Sequence, residues 1–206
     1  MTTVRWQSLM KILGVAENAT VFEALQAAYS ENHRHYHTTQ HIDDCLRQFD
    51  SVAPLAMQPA ELELALWFHD AIYDPMGAQN EEKSARWACE FLASNGAQTD
   101  RIERVKQLIL ATRHQSTPND PDAQLLVDID LSILGANERD YERFETNVRK
   151  EYRWVPGFLF RKKRAEILQS FLDRSHIYQT EPFRSRYENQ ARVNLARAVA
   201  ALSQSA

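Results

Sequence analysis

The chain has 206 residues, 44% of them apolar and 25% charged, enough for one sizeable hydrophobic core. A formal net charge of -4 and a pI near 6.0 argue against a dedicated nucleic-acid binder, which carries a basic excess. No stretch approaches the ~20 apolar residues that span a bilayer. Met1 to Leu13 offer neither a long apolar run nor a small-residue cleavage site, so no signal peptide is expected.

Glycine is scarce, at 5 residues, and helical periodicity runs almost throughout. Thr20 followed by Glu23 reads as a capping box opening a helix through Leu25 and Tyr29. Thr38 or Thr39 can cap a helix carrying Ile42, Cys45, Leu46 and Phe49. Pro59 suits the first turn of a helix through Leu62, Leu66 and His69. Asn80, with Glu81 and Glu82 behind it, starts another, and Asp100 with Glu103 repeats the capping-box pattern. Asp120-Pro121 opens a helix through Asp130 that Gly135 stops. Helical stretches follow over roughly 138–152, 158–178 and 183–200. The expected fold is all-α: a single domain of about eight to ten helices with no repeat and no linker. Cys45 and Cys89 read as buried free thiols in a reducing compartment, and a soluble, cytoplasmic protein is expected.

Three clusters carry chemistry. His69-Asp70 has Ala65, Leu66, Trp67, Ile72 and Tyr73 as neighbours one helical turn away. Two polar groups are thus pushed toward an apolar interior, where an unpaired carboxylate costs several kcal/mol. A divalent cation relieves that cost; a helix cap at the start of a turn is the competing reading. Asp130 is flanked one turn away by Leu126, Val127, Ile133 and Leu134, which predicts a buried carboxylate. Asp128 lies about 200° around the helix on a mixed face, which predicts a surface or supporting position. Finally, four of the seven histidines fall in His33-Arg34-His35-Tyr36-His37-Thr38-Thr39-Gln40-His41. His41 would stand in the first turn of its helix as a ligand, and His37 just before it would face substrate or support the ligands.

The resulting candidate set is His41, His69, Asp70 and Asp130 around one divalent transition metal. Mixed nitrogen and oxygen donors suit Mn, Fe, Zn, Ni or Co better than Mg or Ca. Open coordination positions would leave room for water and a phosphate oxygen. Arg34, Arg113 and Lys83 flank the ligand-bearing segments and are the candidate phosphate contacts. His37, His114 and Asp70 are the candidates for proton handling and catalysis. His114 with Arg113 can equally cap a helix C-terminus. The run Arg161-Lys162-Lys163-Arg164 reads as a solvated helix face.

The order His41, His69-Asp70, Asp130 resembles that of the HD-domain superfamily of metal-dependent phosphohydrolases. It is closer still to a bacterial family of predicted HD phosphohydrolases of about this length. The matching pieces include His33-Arg34-His35-Tyr36-His37, Trp67-Phe68-His69-Asp70-Ala71-Ile72-Tyr73-Asp74-Pro75 and Asn80-Glu81-Glu82-Lys83-Ser84-Ala85. Further pieces are Ala111-Thr112-Arg113-His114, Asp128-Ile129-Asp130-Leu131-Ser132-Ile133-Leu134-Gly135, Glu188 and Ala191-Arg192-Val193-Asn194-Leu195. The resemblance implies an HD-type helical bundle, with a metal-binding core over about 20–136 and C-terminal helices over about 138–200 packing on it. It implies metal at the four positions and hydrolysis of a small, nucleotide-like phosphate ester or anhydride. A metal-binding sensor or interaction module without catalysis is the alternative. A di-iron oxygenase is disfavoured, because two-metal members use two further histidines and only His114 lies between Asp70 and Asp130. The expected partner is a small phosphorylated substrate, with no nucleic acid and no membrane; a homodimer is compatible with such a protein, though no pattern marks an interface.

Overall fold

The computed structural model describes residues 1–16 and 19–204, and the side chains of those residues except Gln204. Among the described residues it is all-α, with no strand. The helices are α1 (Thr3–Leu13), α2 (Ala19–Ala28), α3 (Thr39–Val52), α4 (Pro59–Phe68), α5 (Asn80–Ser94), α6 (Thr99–Ala111), α7 (Pro121–Asp130), α8 (Glu138–Glu151), α9 (Gly157–Leu172) and α10 (Glu181–Gln204). Short 3-10 helices span Ala53–Leu55 and Leu131–Gly135. The chain divides into two compact units, Met1–Val127 and Asp128–Ala206. No helix among the described residues is long and apolar enough to cross a membrane.

In the first unit, α4 is buried on nearly every side. Leu62, Leu64, Ala65, Leu66, Trp67 and Phe68 are fully buried, as expected of a helix enclosed by others. It packs against α1, α3, α5 and α6. Trp6 meets Trp67 edge-on at 5.4 Å, and Phe68 stacks on Phe91 at 5.8 Å. The buried Glu61 on α4 is neutralised by Arg104 (2.7 Å) and Arg101 (3.3 Å), which offsets its desolvation. α1 is an addition to the elements the periodicity predicts. It is capped by Thr2, which accepts from the Arg5 amide, and it ends at Gly14, whose φ of 68° only glycine adopts without strain.

Several expected caps differ. α2 begins at Ala19, so Thr20 lies inside the helix, and the position before Ala19 lies outside the described residues. Thr38 is the N-cap of α3, but its side chain caps no amide; the hydroxyl donates to the Tyr36 carbonyl at 3.4 Å. Asn80 is the first residue of α5, but its side chain ties to Asp74, accepting from the amide and donating to the carbonyl at 3.0 Å. Asp100 falls in the first turn of α6, behind Gln98. Asp120 does cap α7, accepting from the Ala123 amide at 2.8 Å.

In the second unit, α10 packs on α9 and on the 3-10 turn Leu131–Gly135. Asn194 donates to the carbonyls of Leu134 (2.9 Å) and Ala136 (2.8 Å), and Tyr178 donates to Leu131 (3.0 Å). The expected helix over 158–178 stops at Leu172, and α10 starts at Glu181. Asp128 explains that second boundary. Its carboxylate is fully buried and accepts from the amides of Gln179 (2.8 Å) and Thr180 (2.6 Å) and from the Thr180 hydroxyl (2.6 Å), so it caps α10. Burial pushes this carboxyl up from its ordinary value, and the Thr180 and Gln179 bonds oppose the push. Of the surface or supporting position expected for Asp128, the surface one is therefore corrected: a partner 52 residues away pulls it inside.

Gly135 does more than stop a helix. A Cβ there would stand 2.6 Å from Tyr187 Cβ and 2.8 Å from the Tyr187 carbonyl oxygen. Gly135→Ala should cost about 1–3 kcal/mol, read as a lower urea midpoint. An unchanged midpoint would contradict the close approach.

Candidate metal centre

The centre is built in the first unit from α3, the end of α4 and the loop before α3. His41 stands in the first turn of α3, and His69 is the C-cap of α4. Both are buried, at 3% and 1% exposure. The backbone fixes the ring of His69. Its Nδ1 donates to the Leu66 carbonyl at 3.0 Å, which leaves the Nε2 lone pair directed away from α4. A metal-binding histidine is held by the same kind of bond.

His69 Nε2 lies 3.1 Å from His41 Nε2 and 3.1 Å from Asp70 Oδ2, and His41 Nε2 lies 3.4 Å from that same oxygen. Two donors at right angles around one ion, each about 2.1 Å from it, stand about 3.0 Å apart. The triangle therefore has the dimensions of three neighbouring ligands on one transition-metal ion. Burial alone would raise the Asp70 carboxyl. The imidazoles of His69, His37 and His41 more than reverse this and hold it well below the usual carboxylate range.

Cys45 joins the cluster, one turn along α3 from His41. Its buried Sγ is 3.7 Å from His41 Nε2, and among the described residues His41, Cys45 and His69 belong to a group with ligand atoms within 4.8 Å of one another. The cluster of His41, Cys45 and His69 could hold a metal ion. Cys45 was expected only as a buried thiol; its spacing of four residues from His41 on one helix is the signal that could have found it.

Arg34, expected at phosphate, is instead committed to protein acceptors. Its side chain is fully buried, pairs with Glu31 at 2.9 Å and lies between the rings of Tyr29 and Tyr73. It donates to the carbonyls of Asp70 (2.7 Å), Ala71 (2.9 Å) and His37 (3.1 Å). One guanidinium thus ties the His-Asp turn to the loop preceding α3. Ser84 adds a second tie, accepting from the Ile72 amide at 3.0 Å.

His37 stacks on Tyr73, with ring centres 4.1 Å apart, and lies 6.0 Å from the His41 ring. Arg113 forms an ion pair with Glu82, joining the ends of α5 and α6. Lys83 lies one residue along α5 and is half-buried. His114 follows the end of α6 with φ 55°, the left-handed conformation of a helix C-cap, and its amide donates to the Ala111 carbonyl at 3.2 Å. Asp130 is the last residue of α7 and is half-buried, so the full burial expected for it is corrected.

Compared with protein-family models, with curated proteins and with solved structures, the chain matches none. What the fold and the cluster define is a class: an all-α protein with a buried His/Cys/His cluster that could hold a metal ion.

Proposed function

We propose that this protein is a metal-dependent phosphohydrolase acting on a small, nucleotide-like phosphate ester or anhydride. The observation that carries the reading is the triangle of His41 Nε2, His69 Nε2 and Asp70 Oδ2, with the His69 tautomer set by the Leu66 carbonyl. In this reading Asp130 completes the ligand set from the end of α7. One divalent transition ion there supplies Lewis acidity and lowers the pKa of a water.

The chain's own residues do the rest. His37, braced on Tyr73 and by the Arg34 bond to its carbonyl, exchanges a proton with the attacking or leaving oxygen. His114 is assigned to the same task from the end of α6. Lys83 and Arg113 take the phosphate oxygens, with Glu82 releasing Arg113 as the anion arrives. Arg34 positions the His-Asp turn and touches no substrate.

Purified protein should carry about one transition metal per chain and release phosphate or nucleoside from a phosphoester and nucleotide panel. Absence of metal under every loading condition would sink the reading.

A second reading is favoured by Cys45. A thiolate as a further protein ligand closes the coordination sphere, as in structural metal sites. Cys45→Ser separates the two. Turnover kept with metal retained supports the hydrolase, whereas metal and fold lost together, in a wild type without turnover, supports a non-catalytic metal module.

A further inference from the structure

The run Arg161-Lys162-Lys163-Arg164 belongs to a larger feature of the second unit, the tip where α8 turns into α9. Residues 146–165 contain seven bases against one acid, in a chain whose net charge is -4. That acid, Glu151, is buried. Arg164 is turned inward against Glu145 at 2.7 Å. Lys150, Arg153, Lys162 and Lys163 remain exposed, with Lys163 also reaching Glu166 at 2.8 Å.

Between these cations stand large apolar side chains in water. Trp154 is 52% exposed, Phe158 65% and Leu159 44%. They are held there by a built turn. Arg149 donates to the carbonyls of Tyr152 (2.5 Å) and Val155 (3.1 Å) and covers the Phe160 ring at 4.7 Å. The Val155 amide closes back on Tyr152 at 2.9 Å. Arg149 is thus spent on keeping Trp154 at the apex.

We propose that this tip docks on an anionic membrane surface, with Trp154, Phe158 and Leu159 entering the headgroup region and Lys150, Arg153, Lys162 and Lys163 meeting lipid phosphates. Aromatic and leucine side chains flanked by lysine and arginine are the composition that adsorbs at such an interface, and the local charge is opposite to that of the lipid. This departs from the sequence expectation of no membrane partner.

The test uses the full chain and vesicles of phosphatidylcholine with and without phosphatidylserine. Co-sedimentation is expected with the anionic vesicles only, weakening as salt rises, with a blue shift of tryptophan emission that Trp154→Ala removes. Trp6 and Trp67 are buried and should not respond. Trp154→Ala/Phe158→Ala should weaken binding about tenfold, and Lys162→Glu/Lys163→Glu roughly thirtyfold or more. All four positions are on the surface, so circular dichroism should be unchanged. No binding to anionic vesicles would overturn the proposal. So would equal binding to neutral vesicles, binding to nucleic acid alone, or a tip occupied by a second copy of the chain.

Discussion

His69→Ala should lose the metal. Removing one of the two imidazoles that face each other at 3.1 Å leaves Asp70 and His41 without the donor that completes their triangle. Metal affinity should fall about a hundredfold or more, since even partners that only orient ligands are worth ten- to a hundredfold. Elemental analysis after dialysis reads this directly. Added metal should raise the melting temperature of wild type by about 5–10 °C when the ion is about a hundredfold above its dissociation constant. It should leave His69→Ala unmoved. A variant that keeps stoichiometric metal would remove His69 from the ligand set. Asp130→Ala is the separate test of the distal carboxylate. Loss of metal places Asp130 in the set, whereas wild-type affinity would leave Cys45 as the remaining ligand beside the triangle.

Arg34→Met should be the most damaging substitution outside the ligands. The side chain is fully buried and carries three bonds to the carbonyls of His37, Asp70 and Ala71 besides its pair with Glu31. Methionine fills much of the volume but leaves those oxygens without a donor, at a cost of about 3–5 kcal/mol. That corresponds to a melting temperature lower by about 10 °C. Because the Asp70 carbonyl belongs to the same turn as the Asp70 carboxylate, metal affinity should drop about ten- to a hundredfold as well. Arg34→Lys should recover part of the stability but not the forked contact to Asp70 and Ala71. If Arg34→Met melts within about 2 °C of wild type and binds metal equally, the clamp is not holding the site.

The legible part of this protein was whatever depends on neighbours in sequence. The apolar stripe Leu62–Phe68 marks α4, Pro59 and Asp120 mark helix starts, and each is set by contacts within about one turn. The burial of His69 was legible for the same reason, because it sits among apolar neighbours three and four residues away. The long-range partners were not. Asp128 read as a surface or supporting residue because the donors that bury it, Gln179 and Thr180, lie some fifty positions downstream. Arg34 read as a phosphate contact because a guanidinium beside a candidate site fits either a ligand or a carbonyl cluster, and only the folded loop supplies the carbonyls.

By itself, then, the sequence determined the all-α architecture and most helix positions, and it pointed to His41 and His69, two members of the cluster that could hold a metal. Helical periodicity and local desolvation are properties of short windows. Only tertiary structure decided which of the nearby polar groups face one another. It brought His41 and Cys45 up to His69, turned Arg34 inward, and made Asp128 the cap of a distant helix. The physical reason is that buried polar groups are stable only with partners, and the chain recruits those partners from wherever packing brings them.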